Sequence, residues 1–157
     1  MFRFSPDIQE FIRLLSKYTV EYVIVGGEAV IYYGYGRLTG DIDFFYPANR
    51  NNVKKLYQTL DAFWEGDIPG LQNADELLEP GSILQFGVSP NRIDLINQIE
   101  GVSFEEAWKG KKVETLKIKG EQIPIYIIGL KQLIQNKKTM KRYKDLDDLK
   151  FLDKVKK

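Results

Sequence analysis

The sequence predicts a mixed α+β fold, in which a small, mostly antiparallel β-sheet is flanked by helices and followed by C-terminal helices. Three observations lead to this prediction. Residues 22–25 form a short apolar run that stops at Gly26-Gly27, which is typical of a buried strand. Two later pairs of apolar runs, each joined by a short turn, predict β-hairpins. Apolar residues recur at helical spacing over 8–15 and again over 53–60, which predicts amphipathic helices there.

The elements follow from local patterns in chain order. Ser5-Pro6 is an N-cap followed by proline, and it predicts a helix over about 5–18. The first half then continues with a strand at 22–25, a helix at 28–33, a glycine-rich loop up to 40, a strand at 41–45 and a helix capped by Asn49. The second half has a loop at about 64–81, a hairpin of 83–88 with 92–96, a short helix from Ser103, a hairpin of 113–118 with 123–128, and helices at roughly 129–138 and 144–155. We expect one domain over 1–157, with a C-terminal helical segment at about 129–157.

The composition restricts the chemistry that the chain can perform. Hydrophobic residues make up 43% and charged residues 29% of the 157 residues, which supports a core and argues against disorder. The net charge of +1 predicts no general attraction to nucleic acid or to an anionic membrane. Cysteine and histidine are both absent, so thiol chemistry and histidine bases are excluded. Catalysis would therefore depend on carboxylates, lysine, arginine, hydroxyls and a hard metal ion.

Neither a membrane span nor a signal peptide is expected. No apolar run approaches the roughly 18 residues that a spanning helix needs, and the first residues lack the apolar stretch of a signal peptide. We therefore expect a cytoplasmic protein without membrane contact.

Gly26-Gly27 lies where the first strand meets a helix. Glycines at such a bend let a phosphate approach the backbone closely, and the helix N-terminus offers free N–H groups. The same pair also suits a tight strand-to-helix turn without a ligand, and both interpretations stay open.

Asp41 and Asp43 are two residues apart on a predicted strand, so both carboxylates project from the same face. Neighbouring carboxylates repel each other unless a cation lies between them, and Mg²⁺ prefers such oxygen ligands together with substrate phosphates. An acidic strand end that faces water is the other interpretation.

Asp94 lies in another strand-like run. If that strand lies beside the strand of Asp41 and Asp43, the Asp94 carboxylate would complete a site for two Mg²⁺ ions. The same carboxylate could take a proton from an attacking hydroxyl.

These residues together resemble a known family. The run Val23 to Gly27, followed after thirteen residues by Asp41-Ile42-Asp43, resembles the signature of the DNA polymerase β-like nucleotidyltransferases. Arg37 to Gly40 matches the Arg-x-Thr-x-Asp form of the bacterial branch, and Arg92 to Asp94 looks like the strand with the third metal carboxylate. The residues of the last segment, Leu133 to Lys138, Arg142 to Asp145 and Asp148, are similar to the C-terminal helices of the minimal AbiEii-like nucleotidyltransferases.

The resemblance implies transfer of a nucleoside monophosphate from an NTP to an acceptor, with release of pyrophosphate (EC 2.7.7-like). Gly26 and Gly27 would hold the triphosphate. Asp41 and Asp43 would bind two Mg²⁺ ions, while Asp94 would bind the catalytic ion and assist deprotonation. The remaining binding candidates are Lys137 for a phosphate, with Lys138 as the alternative, and Arg37 and Thr39 for phosphate orientation. The two lysines could instead belong to a solvated helix face. Arg37 and Thr39 could instead brace the loop against the sheet. Arg142, Asp145 and Asp148 would form an ion-pair set within or between helices, because Asp145 and Asp148 are three residues apart and share a helix face. Asp148 would also hold Lys137 in position.

The resemblance also implies partners. The acceptor would be RNA, tRNA or protein, and the chain could act as the toxin of a toxin–antitoxin pair with an antitoxin or partner protein. A non-catalytic nucleotide- or protein-binding module on the same fold is the alternative function, and a purely structural partner in such a complex is a third. Three acidic groups held together without a metal would destabilise a plain scaffold, which favours the enzyme.

Overall fold

A computed structural model of the chain describes residues 4–34, 41–89 and 91–156. Six strands form its sheet: β1 (Val23–Val25), β2 (Asp41–Phe45), β3 (Ile83–Phe86), β4 (Arg92–Ile96), β5 (Lys112–Ile118) and β6 (Glu121–Ile127). Six α-helices surround it: α1 (Pro6–Lys17), α2 (Gly26–Tyr32), α3 (Arg50–Phe63), α4 (Phe104–Gly110), α5 (Leu130–Met140) and α6 (Tyr143–Lys156).

The sheet is open and mixed, with strand order β3-β4-β2-β1-β6-β5. The pairs β1/β2, β3/β4 and β5/β6 are antiparallel, while β2/β4 and β1/β6 are parallel. The predicted α+β class, the mostly antiparallel sheet and the C-terminal helices are therefore confirmed. Both predicted hairpins are present as β3/β4 and β5/β6.

Side-chain caps explain where α1, α3 and α4 begin. Ser5 Oγ accepts a hydrogen bond from the Ile8 backbone N–H at 3.3 Å at the start of α1, and Asn49 Oδ1 accepts one from Asn52 at 2.8 Å at the start of α3. Ser103 closes the capping box that the sequence predicts for α4. Each cap satisfies N–H groups that a helix start otherwise leaves without a partner.

Two local predictions differ from the structure. The second helix begins at Gly26 and not at Glu28, because Gly26 takes a positive φ of 68° that only glycine adopts easily and that turns the chain directly into α2. The segment predicted as loop over 64–81 contains a 3₁₀ helix, Ala74–Leu78. A capping box formed by Asn73 and Glu76 stabilises it, and Leu77 anchors it in the core.

The two faces of β2 are directed to different helices. Phe44 packs against Phe11 of α1, with ring centroids 5.5 Å apart, and the next residue, Phe45, packs against Phe104 of α4 at 5.3 Å. Because side chains alternate along a strand, Asp41 and Asp43 share the face of Phe45. This face carries the candidate site. No helix in the described part of the chain is long and apolar enough to cross a membrane.

Candidate active site

The register of β2 against β4 brings the three predicted carboxylates to one place on the sheet. Asp43 lies directly opposite Asp94, and Asp41 lies opposite Arg92. The sequence-based condition for Asp94, that its strand lies beside the Asp41–Asp43 strand, is therefore met. All four side chains project from the same face, since their positions on the paired strands alternate together.

Arg92 connects two of these carboxylates. Its Nη2 donates to Asp41 Oδ2 at 2.5 Å, and its Nε donates to Asp94 Oδ1 at 3.0 Å. Sequence reasoning assigned no role to Arg92. The alternation Arg92-Ile93-Asp94 places the arginine on the same face as Asp94, and this could have indicated a role for Arg92 in the site. The strand that pairs with it was not known from the sequence. The guanidinium thus supplies a positive charge among the acidic groups.

Asp43 and Asp94 lie close together in a poorly hydrated position. Asp94 is only 7% exposed. Burial is the main cause that raises the pKa of Asp43 to about 7, and a hydrogen bond with Asp94 and the negative charges of Asp94 and Asp41 add to it, whereas Lys144 lowers it. Two neighbouring carboxylates ionise together only when a cation compensates them. This pair therefore favours a bound positive charge.

Gly26 packs directly against Asp43. A Cβ at this position would overlap Asp43 Oδ2, and it would also lie 3.2 Å from the carboxyl carbon. Because glycine has no Cβ, the Asp43 carboxylate has room to lie beside the bend. This contact is a more specific reason for a glycine than the turn alone.

Lys137 is buried, with 2% of its surface exposed. Its Nζ lies 3.0 Å from Asp145 Oδ1 and 3.3 Å from Asp148 Oδ2. A solvated helix face is therefore the wrong interpretation for Lys137, because one turn of α6 supplies two carboxylates to its amine. Lys138, by contrast, is exposed. The predicted contact between Asp148 and Lys137 is present.

Arg142 completes this ion-pair set at the junction of α5 and α6. Its Nε donates to Asp145 Oδ2 at 2.7 Å, and its backbone N–H donates to the same oxygen at 3.1 Å. Burial acts to raise the pKa of Asp145, but hydrogen bonds from Arg142 and Lys137 outweigh it and hold that pKa at about 2. Asp145 is thus a fixed anion that orients both cations.

These groups line one cavity of about 280 Å³. Its polar wall includes Gly26, Gly27, Asp41, Asp43, Arg92 and Asp94 on one side, and Lys137, Arg142 and Lys144 on the other. Carboxylates and cations thus face each other across the space. Arg37 and Thr39, the two other predicted binding residues, lie outside the described residues.

The carboxylate oxygens of Asp41, Asp43 and Asp94 are the kind of ligand that a hard divalent cation such as Mg²⁺ prefers. The Ser89 hydroxyl donates to Asp41 Oδ1 at 3.0 Å. Arg92 already occupies a cationic position between Asp41 and Asp94. Across the ranges 4–34, 41–89 and 91–156, no three acidic side chains are arranged as a ready metal cluster. The metal role of the three aspartates stays a prediction.

The fold and the site together define the class of the protein. A glycine bend against an Asp-x-Asp strand, with a third aspartate on the neighbouring parallel strand, is the arrangement that the resemblance to nucleotidyltransferases implies. The family model described as "Nucleotidyltransferase of unknown function (DUF6036)" matches residues 6–155. The chain belongs to this family. No curated protein matches the chain, and the finer similarity to AbiEii-like enzymes stays a prediction.

Proposed function

We propose that this nucleotidyltransferase transfers a nucleoside monophosphate from an NTP to an acceptor hydroxyl in a Mg²⁺-dependent reaction. The observation that carries the proposal is the strand register that sets Asp43 opposite Asp94, next to Gly26 and across the cavity from Lys137. The acceptor is RNA, tRNA or protein, and the proposal includes action as a toxin that a partner protein restrains.

Asp41, Asp43 and Asp94 would hold two Mg²⁺ ions. When bound, the ions neutralise phosphate charge and favour the ionised acceptor oxygen. The closely packed bend at Gly26 and Gly27 offers backbone to the triphosphate. Lys137, with its charge fixed by Asp145 and Asp148, supports the leaving phosphates as negative charge accumulates there.

The transfer itself exchanges one phosphorus–oxygen bond for another. The acceptor oxygen forms a bond to the α-phosphorus of the NTP, and the bond from that phosphorus to the oxygen that bridges to the β-phosphate breaks. Pyrophosphate leaves with the bonding electrons. Asp94 takes the proton of the acceptor hydroxyl, because no histidine is available for this step. Arg92 compensates the charges of Asp41 and Asp94 before substrate arrives.

The experiment incubates the purified chain with Mg²⁺, NTPs labelled at the α-phosphate and a cell extract as the source of acceptors. We expect transferred label, and we expect Asp94→Asn to retain NTP binding in a direct titration while it loses transfer by on the order of 100-fold or more. Asp67→Asn, an exposed aspartate outside the cavity, is the matched control. Loss of nucleotide binding in Asp94→Asn would contradict the assigned role.

One observation favours a second function, a non-catalytic nucleotide-binding module. Arg92 already bridges Asp41 and Asp94, so one of their two negative charges is compensated without a metal ion. In that case NTP binds without transfer and without dependence on Mg²⁺. The same labelling experiment, with and without the metal, separates the two functions.

A further inference from the structure

A larger cavity continues from the candidate site along the sheet. The site cavity shares Ile83 and Ile96 of its wall with a space of about 240 Å³, which in turn shares Ile83, Gln98, Ile99 and Glu100 with a cavity of about 650 Å³. Asp43 lines the first two spaces. The three spaces therefore lie side by side, from the carboxylates to the 98–100 segment and on to Phe104 of α4.

The wall of the large cavity is held in place. Asn97 is buried, its Nδ2 donates to the Glu79 carbonyl at 2.8 Å, and its Oδ1 accepts from the Gly81 N–H at 2.8 Å. The Glu100 carbonyl accepts from Asn136 Nδ2 of α5 at 2.8 Å. The cavity is therefore preformed, as is usual for a binding site.

The segments that supply the site differ in charge. Residues 56–108, which supply β3, β4 and most of the large cavity, contain ten acidic residues and one basic residue, Arg92. Asp61 lies in α3, which packs on α1 at the opposite face of the sheet, whereas Glu79, Glu100, Glu105 and Glu106 lie in or beside the segments that line the large cavity. Residues 109–157 contain fifteen basic and six acidic residues, and Lys137, Arg142 and Lys144 of the site cavity belong to them. The NTP phosphates match the second segment. The acidic segment is left for the acceptor.

The position of Asp94 agrees with this division. Asp94 lies on β4 and faces Gln85 of the edge strand β3, whereas Gly26 follows β1 on the other side of β2. Asp94 lines the site cavity, which opens toward the large cavity through the space that Asp43 and Ile96 line. Among the residues that the structure describes, Glu100 is the only charged one that lines the large cavity. A nucleic acid carries one negative charge per phosphate and would be repelled there.

An unpaired strand edge runs along the same side. Within the described sheet, β3 pairs with β4 alone and forms the edge, and Ile83 on this strand is 62% exposed while it lines all three spaces. An extended polypeptide can add to such an edge through main-chain hydrogen bonds and place alternate side chains in the neighbouring cavities.

We propose that the acceptor is a hydroxyl-bearing, lysine- or arginine-rich polypeptide segment that lies along β3 and in the acidic cavity beside Glu100. This inference rests on the proposed nucleotidyl transfer. The acceptor is a serine, threonine or tyrosine hydroxyl, whose oxygen binds the α-phosphorus while its proton goes to Asp94 and pyrophosphate leaves. Basic neighbours of that residue face the acidic segment, and the hydroxyl points toward Asp94.

The test compares probes of defined chemistry at saturating Mg²⁺ and α-labelled NTP. The probes are short peptides with one hydroxyl residue flanked by lysines, the same peptides flanked by glutamates, unfractionated tRNA, and a small polyamine alcohol. We expect label on the lysine-flanked peptides at a rate about tenfold or more above the glutamate-flanked ones, and we expect this preference to shrink at high ionic strength.

A charge reversal locates the effect. Glu100→Lys should raise the KM for the lysine-flanked peptide about tenfold or more, because Glu100 is exposed and lines the cavity. The hydrogen bond from Asn136 of α5 goes to the Glu100 backbone carbonyl, so it does not depend on this side chain. Glu105→Lys introduces the same charge change on α4 outside the cavity wall and is the matched control. Equal effects of the two variants would overturn the location.

The remaining outcomes separate the two proposals. Transfer to tRNA, to the small alcohol or equally to both peptide sets would overturn the polypeptide acceptor and leave nucleotidyl transfer intact. NTP binding without label on any probe would overturn the acceptor class and would also count against transfer. Failure of the unmodified chain to bind NTP with Mg²⁺ in a direct titration would overturn the proposed function, and this inference with it.

Discussion

Gly26 has two roles in the geometry of the candidate site: it bends the backbone, and its lack of a side chain leaves room for a neighbouring group. Its φ of 68° turns β1 into α2, and its missing side chain leaves room for the Asp43 carboxylate. The two requirements can be separated, since Gly120 has a similar φ of 81° in the β5/β6 turn with open space around it.

We predict that Gly26→Ala weakens the fold and the site by more than Gly120→Ala does. Both substitutions place alanine in a left-handed backbone conformation, which costs roughly 1–2 kcal/mol. In Gly26→Ala the new methyl group also displaces the Asp43 carboxylate, so nucleotide transfer should fall on the order of 100-fold. Urea denaturation and label transfer measure the two effects. Equal losses in both variants would show that the overlap with Asp43 is unimportant.

The sequence predicted Asp41, Asp43 and Asp94 as site residues but did not identify Arg92. Spacing within one strand shows that two aspartates share a face, because alternation is a local property. The bridge from Arg92 depends on the pairing of two strands 51 residues apart, Asp41 with Arg92. The sheet as a whole fixes that register, and it cannot be predicted from the local pattern of a single sequence.

At the scale of elements, the junction of α5 and α6 also contains a contact that depends on how two elements pair. Both helices were predicted and are confirmed, yet the burial of Lys137 was not predicted. The lysines of this region, Lys131, Lys137, Lys138, Lys141 and Lys144, lie close together in the sequence, which suits a solvated helix face as well as a phosphate contact. The fold inserts one of them between Asp145 and Asp148. The pairing of two elements, and not the pattern of either, determines which lysine is buried.

We predict that Lys137→Met destabilises the protein by roughly 3–5 kcal/mol, since two buried carboxylates then lose a cationic partner. Lys138→Met, at the exposed neighbouring position, should change stability by less than about 0.5 kcal/mol. Chemical denaturation of the two variants gives the comparison. A small effect of Lys137→Met would mean that the amine does not stabilise Asp145 and Asp148.

The pH dependence of stability should report Asp145. Its pKa is lowered from the ordinary value of 3.8 to about 2 in the folded chain, so it stabilises the fold above pH 3.8 and loses this effect as the pH falls toward 2. The shift corresponds to about 2 kcal/mol. We predict that the stability difference between the unmodified chain and Asp145→Asn shrinks by about this amount between pH 6 and pH 2. Urea unfolding across this range measures it, with Asp147→Asn as control for the loss of one charge from α6.

At the scale of the whole molecule, the site lies between segments of different charge balance, because β4 belongs to an acidic part of the chain while α5 and α6 belong to a basic part. The fold class could be predicted because hairpins, caps and periodic helices are local. The division of charge into an acidic 56–108 segment and a basic 109–157 segment is also visible in the sequence. Its meaning depends on the strand order, which sets β3 and β4 on one side of β2 and the C-terminal strand β6 on the other.

The same arrangement predicts how the whole chain responds to Mg²⁺ and NTP. Asp43 and Asp94 repel each other in a buried position, so a ligand that compensates them binds the folded chain and not the unfolded one, and it stabilises by mass action. At a ligand concentration of about 100 times Kd the gain is about 2.7 kcal/mol, which for a chain of this size raises the melting temperature by roughly 5–10 °C.

The double variant Asp41→Asn/Asp43→Asn should melt at least as high as the unmodified chain without metal, because a buried repulsion is removed. It should gain little from Mg²⁺ and NTP. Thermal melting of both proteins, each with and without the ligands, tests the two expectations together. An unmodified chain whose melting temperature does not respond to saturating Mg²⁺ and NTP would show that Arg92 alone balances the carboxylates, and the non-catalytic module would then be the better description of the fold.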